Sequence, residues 1–142
     1  MNRIIAIFVV ALGFAGEMLA ADQTIAEFYA ITNISNVKIT FAPKGNFSAA
    51  DTNVWVLSED AFVKKTLELI QKLPSTGAFY KNWPNQMPLW RVEILADKTC
   101  LATLLIWGTR LEAPAGKNGN FYSDTGGKEK EFVEHIQSVA RK

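Results

Sequence analysis

Residues 37–41 and 90–94 alternate between apolar and polar side chains. A period of two is typical of a strand with one face in a core and the other in water, so each stretch predicts a strand. Residues 100–107 are apolar at nearly every position and follow a short polar turn, which predicts the return strand of a hairpin. Because both faces of this return strand are apolar, we expect it to be central in the sheet and covered on both sides.

Two other stretches place apolar residues at the spacing of a helix. The first opens at Ser58, a good N-cap, continues with two acidic residues that suit the positive end of a helix dipole, and stops at Pro74. The second runs from Lys128 to about Ala140. Each has one apolar and one charged face, which predicts two amphipathic helices packed on a sheet.

Shorter segments complete the predicted order of elements. Residues 54–56 form a very short extended piece, residues 110–112 are expected to continue the return strand until Pro114 breaks it, and residues 121–123 form a short third strand. The stretch before residue 37 leaves open a further N-terminal strand or a helical turn. The predicted order is β-α-β-β-β-α, which is an α+β fold with a mostly antiparallel sheet.

The N-terminus predicts a secretory signal peptide. A basic start is followed by an apolar run from Ile4 to Phe14 and by small residues up to Ala21. This run is shorter than the roughly 20 apolar residues of a spanning helix, which favours a cleaved peptide over a membrane anchor. We expect cleavage after residue 21, or one residue earlier, which removes residues 1–21 and leaves residues 22–142 as a single small globular domain.

This leader predicts where the protein acts. A compact leader of this kind is typical of bacteria, so we expect a periplasmic or secreted protein. The rest of the chain contains no apolar run long enough to span a membrane, and no membrane association is expected after cleavage.

Composition and charge argue against several classes of function. The 142 residues include 15 Lys and Arg against 14 Asp and Glu, which gives a net charge of +1 and no basic excess for nucleic-acid binding. With one Cys and one His, the chain lacks the ligands of zinc ribbons and the pairs of a disulfide scaffold. No glycine-rich phosphate loop is present. We therefore expect no metal, no cofactor and no nucleic-acid partner.

The lone Cys100 lies in the apolar return strand, and the chain has no second cysteine to pair with it. We expect it to be a small buried apolar residue rather than a reactive thiol or one half of an intermolecular disulfide.

Residues 79–87 have the most unusual composition in the chain. Phe79, Tyr80, Trp83 and Met87 are interleaved there with Lys, Asn and Gln, next to prolines that prevent a regular element. Large rigid side chains on an irregular segment are typical of recognition hot spots. The alternative is that Phe79 and Trp83 fold back and cap an open end of the core. We take these four residues as the candidate partner-binding residues.

Candidates for acid–base chemistry are few. His135 alone has a side chain that titrates near neutrality, and no acid is placed to complete a triad with it and Ser138. Glu93 and Asp124 are the carboxylates expected near a sheet surface. The pattern favours a histidine at the edge of a helix's apolar face, without a catalytic role, and we assign no catalytic residue.

We therefore expect a small exported, non-catalytic protein that binds a protein partner through its aromatic loop, such as an inhibitor, an immunity-type neutraliser or an accessory subunit. The alternative is a small-ligand carrier or a minor hydrolase. That alternative requires a cavity between sheet and helix into which Glu93, Asp124 or His135 points.

Overall fold

A computed structural model describes residues 23–73, 89–107, 110–114, 120–122 and 128–142. The predicted signal peptide lies outside these residues. So do the aromatic loop and Asp124.

The described residues form three α-helices and an antiparallel sheet. In chain order the elements are α1 (Ile25–Phe28), β1 (Asn36–Phe41), β2 (Asn53–Leu57), α2 (Asp60–Ile70), β3 (Trp90–Ala96), β4 (Thr99–Trp107), β5 (Arg110–Pro114), β6 (Asn120–Tyr122), α3 (Lys128–Gln137) and a 3₁₀ turn (Ser138–Arg141). The strands form one sheet in the order β2-β1-β3-β4-β5-β6, and each neighbouring pair is antiparallel. The α+β class with a mostly antiparallel sheet is therefore confirmed.

The helices cover one face of the sheet. Val92 and Ile94 of β3 are fully buried, and they pair in register with buried residues of β1 and β4 on the same face. The largest fully buried side chains include Ile39, Leu104, Leu111, Ile70, Phe132 and Ile136. These residues of sheet and helices belong to one cluster, so a single core joins the two layers. We call this face of the sheet the inner face.

Helix α2 buries the apolar face that its spacing predicts. Thr66, Leu69 and Ile70 are buried, and Phe62 and Val63 pack half-buried against the core. The predicted start is wrong by one residue. The N-cap is Glu59 and its side chain makes no capping hydrogen bond, so the helix begins with the dipole interaction of Asp60 rather than with a Ser58 cap.

Helix α3 packs beside α2 on the inner face. Phe132, Val133 and Ile136 are buried, and Val139 of the following 3₁₀ turn extends the same apolar face. The amphipathic pattern of this segment is thus confirmed as a core-facing helix, with its last turn tightened into 3₁₀ geometry.

The residues before β1 form a helical turn rather than a strand. Thr24 and Glu27 close a capping box in which each side chain accepts a hydrogen bond from the other's backbone N–H, at 3.2 and 3.0 Å. Ile25 is buried, and its N–H donates to the carbonyl of Leu73 at 2.8 Å. The capping box therefore starts a helix here, and the buried Ile25 holds it against the end of α2.

Two expectations about the return strand are wrong. Burial along β4 alternates, with Ala102, Leu104 and Ile106 buried and the residues between them half-buried, so only one face is fully covered. Residues 110–112 do not continue β4. They belong to β5, which pairs antiparallel with β4 and places Leu111 opposite Ile106 in the core. Turning back keeps Leu111 on the inner face, where a fully buried side chain stabilises by about 1.5–3 kcal/mol.

Candidate functional site

The four residues of the predicted partner-binding loop, Phe79, Tyr80, Trp83 and Met87, lie outside the described residues. Asp124 lies outside them as well. Of the other candidates, Glu93 lies on the outer face of the sheet, His135 at the contact between α2 and α3, and Cys100 at the hairpin end of β4. The structure adds a region that the sequence did not single out, the edge strand β2.

Cys100 is exposed, which corrects the expectation of burial. It lies at the hairpin end of β4, and a register irregularity between Ile94 and Leu95 separates it from the regular ladder. Burial on β4 begins only at Ala102, so the thiol lies before the buried part of the strand. The sulfur lies 3.6 Å from Thr103 Oγ1.

Glu93 belongs to an ion-pair group on the outer face, opposite the helices. Its Oε2 lies 3.5 Å from Lys38 Nζ on the neighbouring strand and 3.6 Å from Arg91 Nε on its own strand. The Arg91 guanidinium lies 5.0 Å from the ring centre of Phe47, which stands on the loop after β1. Glu93 is thus held between two cations across a pair of strands, an arrangement that stabilises a sheet by pairing opposite charges.

His135 lies between α2 and α3. Its ring stacks on Phe62 with centroids 4.2 Å apart, and its Nε2 is 2.8 Å from Oγ1 of the buried Thr66. The Thr66 hydroxyl donates to the carbonyl of Phe62 at 2.9 Å. A hydroxyl has one proton, so this donation leaves Oγ1 to accept from the Nε2–H of a neutral His135. The histidine joins two helices.

Burial lowers the pKa of His135 below its ordinary value of 6.5, and the positive charge of Lys65 lowers it further. The Phe62 carbonyl and the Glu131 carboxylate act in the opposite direction with smaller effects. Lys65 and Glu131 themselves form an ion pair between the two helices, with Nζ and Oε1 2.9 Å apart. The folded protein therefore favours the neutral ring.

This lowered pKa predicts a pH-dependent stability. As the pH falls through 6.5 the unfolded chain takes up a proton at His135 before the folded one does, so the free energy of unfolding decreases until the lower, folded pKa is passed. Above 6.5 this contribution is fully present. Urea unfolding between about pH 5 and 8 measures the effect. His135→Gln should remove this part of the pH dependence, and an unchanged profile in that variant contradicts the assignment.

The structure does not bring Glu93 and His135 together. Glu93 alternates with the buried Val92 and Ile94 and so lies on the outer face, whereas His135 lies on the helix side of the sheet. One cleft of about 350 Å³ is lined by residues of α1 and the segment that follows it, together with Gln71. Another of about 340 Å³ lies between Asn33, Ile34 and α2. Neither cleft contains Glu93 or His135.

Strand β2 lies at one edge of the sheet, and it carries the most exposed large apolar side chains of the described chain. Val54 is 51% exposed and Val56 is 62% exposed. They pair with Thr40 and Lys38 of β1, which places both valines on the outer face. No residue from Asn53 to Leu57 is charged. A neutral, apolar strand at a sheet edge is the type of surface that invites pairing with another chain.

The inner side of the same strand is held by aromatic packing. Trp55 stacks on Trp90 of β3 with ring centroids 6.0 Å apart, and Trp90 in turn contacts Phe41 at 4.6 Å. Trp55 and Leu57 pack half-buried against the core. The edge is therefore supported from beneath and presents its backbone and the two valines in a defined position.

The charged residues that flank β2 along the chain are acidic. Residues 45–63 contain Asp51, Glu59 and Asp60 and no Lys or Arg. Asp51 lies 3.9 Å from Lys44 across an exposed contact, with 83% of the lysine side chain and 48% of the aspartate side chain accessible. Among the described residues, Glu59 and Asp60 form no ion pair. Both ends of the edge strand are therefore acidic.

Sequence reasoning missed β2 as a candidate site. The signal available was the stretch of five neutral residues, 53–57, with acids on both sides. Its position at the edge of the sheet depends on which strands pair across the chain, and the local pattern does not determine that.

Within the described ranges no three His, Cys, Asp or Glu side chains are grouped closely enough to hold a metal ion. Every helix in the part of the chain that the structure describes is too short or too polar to cross a bilayer. Comparison of the chain with protein-family models, with curated proteins and with solved structures found no match in any of the three.

Proposed function

We propose that this chain is a small exported, non-catalytic binding protein that recognises a protein partner, as an inhibitor, an immunity-type neutraliser or an accessory subunit does. One observation carries the proposal. The edge strand β2 exposes Val54 and Val56 side by side, without a charged residue in the strand. Natural sheet edges are usually protected by charges, prolines or bulges, so an unprotected edge is a candidate contact surface.

Burial of this edge in a complex would contribute to the free energy of binding. Complete burial of a valine contributes about 1.5–3 kcal/mol, and each of these two is about half exposed before binding, so the pair contributes on the order of 2 kcal/mol. That corresponds to roughly a 30-fold gain in affinity. Backbone hydrogen bonds and neighbouring contacts then add to it, as at other sites of strand addition.

The aromatic loop with Phe79, Tyr80, Trp83 and Met87 belongs to this proposal as a second contact. Its C-terminal end supports this. Leu89 is the first described residue after the loop, and its carbonyl accepts a hydrogen bond from the Ala42 N–H at 2.8 Å. Ala42 follows Phe41, which pairs with Asn53 at the start of β2. Leu89, which follows the loop in the chain, therefore lies at the end of the sheet where β2 begins.

A lysine in place of Val54 tests the edge directly. Val54→Lys puts a charge on the outer face opposite the neutral Thr40. The variant loses the apolar contact of Val54 with the partner, and binding would also bury the new charge. We therefore expect partner binding to weaken about 30-fold or more. Partners captured from the native host's extracytoplasmic fraction are identified first, and the purified partner is then titrated by calorimetry.

Thr99→Lys is the matched control, because it adds the same charge to an exposed strand residue at the β3–β4 hairpin. This variant should bind the partner like the wild type. Equal binding by wild type and Val54→Lys contradicts the proposed edge, and equal capture by a Tyr80→Ala, Trp83→Ala double variant contradicts the role of the loop.

Export is the other half of the proposal, and it rests on the apolar run from Ile4 to Phe14. Mass spectrometry of the protein recovered from its native host should find an N-terminus at Asp22 or Ala21. An intact Met1 on the recovered protein contradicts export through a cleaved signal peptide.

A further inference from the structure

We infer that the partner supplies an extended segment that adds to the sheet along β2, and that this segment has an apolar or β-branched centre with basic residues at its ends. The inference rests on the proposed function and specifies the chemistry of the partner. Its three supports are the backbone edge of β2 that no strand of the described residues pairs with, the apolar character of both sides of the strand, and the acidic residues at its ends.

The backbone of β2 is available for pairing on one side. All five residues from Asn53 to Leu57 pair with β1, and in the described part of the chain no strand lies beyond β2. Five residues of strand span about 17 Å, which is a common strand length and long enough for a regular ladder. The opposite edge strand, β6, has three residues and offers a shorter template.

Both sides of β2 are apolar, which defines the centre of the partner segment. Val54 and Val56 point to the outer face, and Trp55 and Leu57 to the inner face. Successive side chains of an added strand also alternate between the two faces. Every central residue of the partner thus meets an apolar neighbour. This favours an uninterrupted run of apolar or β-branched residues over a run in which apolar and charged residues alternate.

The acidic residues that flank β2 favour basic residues at the two ends of the partner segment. Asp51 precedes the strand, Glu59 and Asp60 follow it, and residues 45–63 contain no basic side chain. Of these acids only Asp51 has a described counter-charge, Lys44 at 3.9 Å. Residues that flank an added strand lie close to these acids, where opposite charges stabilise the pairing and like charges destabilise it.

The same acids argue against a second copy of this chain as the occupant. In antiparallel self-pairing centred on Trp55, Val54 faces Val56 of the other copy and Asp51 faces its Glu59. Like charges then meet at both ends of the joined strands, which opposes the dimer. A heterologous basic segment gains from the acids that a second copy is repelled by.

Two synthetic peptides test the inference, KKVTVTVKK and its acidic counterpart EEVTVTVEE, titrated into the purified mature chain at low and at physiological salt. The basic peptide is expected to bind at least about 10-fold more tightly than the acidic one, with the difference decreasing as salt rises. Glu59→Lys should reduce this preference. Glu68→Lys is the matched control, because it makes the same charge change at an exposed position on α2, and it should leave the preference intact.

Each outcome has a definite meaning. Preference for the basic peptide, reduced in Glu59→Lys and kept in Glu68→Lys, supports the inference. Equal affinity for both peptides overturns the charge selection. If the chain sediments as a dimer and Val54→Lys sediments as a monomer, a second copy of the chain occupies the edge, which overturns the inference. Binding of neither peptide overturns it as well, whereas the proposed function is then still decided by the native partner and the Val54→Lys variant.

Discussion

Replacement of Phe132 by alanine is expected to lower the free energy of unfolding by about 3–5 kcal/mol. Phe132 is fully buried on α3 and belongs to the cluster that joins the helices to the inner face of the sheet. Truncation removes the transfer free energy of the ring and leaves a cavity that the surrounding helices and strands fill only in part. Since small domains have about 5–15 kcal/mol of stability in all, this variant should be close to unfolding.

Urea unfolding followed by circular dichroism measures this loss, and an unchanged slope with denaturant confirms that stability alone has changed. Phe28→Ala is the control, because it makes the same truncation on α1 at a side chain that is 39% exposed. We expect a loss of less than about 1.5 kcal/mol there. Equal losses in the two variants contradict the placement of the core between the helices and the sheet.

Replacement of Trp90 by alanine is the second large effect, again with about 3–5 kcal/mol of lost stability. Trp90 is 9% exposed, and the centre of its ring lies 4.6 Å from that of Phe41 on β1 and 6.0 Å from that of Trp55 on β2. Without the Trp90 ring, Trp55 of the edge strand loses its aromatic contact with β3. We therefore expect faster amide exchange in β2 in addition to the global loss.

A double-mutant cycle with Trp55→Ala tests the stacking itself. Aromatic pairs of this geometry couple by about 0.5–1.5 kcal/mol beyond the burial of their area. The double variant should therefore be more stable than the sum of the two single losses predicts. Strict additivity contradicts a direct Trp55–Trp90 interaction and, with it, the account of how the edge is held.

Much of the fold could be predicted from periodicity. The alternation in residues 37–41 and 90–94 and the helical spacing after residues 60 and 128 all reflect one buried face, and the structure buries those faces. The failures have a common physical cause. The uniform apolar run 100–107 hides its own alternation, and the position of β5 depends on the antiparallel pairing of Leu111 with Ile106. Local patterns do not encode such pairings.

The same limit applies to the candidate site. A composition rich in aromatic residues singles out residues 79–87 but does not determine the surface they form. Residues 53–57 are a candidate binding surface because they lie at the edge of the sheet, and that position follows from the whole strand order. His135 illustrates the converse case. The residue type allows catalysis, whereas its contacts with Phe62 and Thr66 show a helix-to-helix interaction.

Amide hydrogen exchange of the chain with and without its captured partner tests the central claim most directly, because it reports on the backbone of β2 itself. We expect amides within Asn53–Leu57 to gain protection on binding, while those of the β3–β4 hairpin turn at Asp97 and Lys98 exchange as before. Unchanged exchange in β2, with the partner bound and protection gained elsewhere, contradicts the assignment of this edge as the binding site.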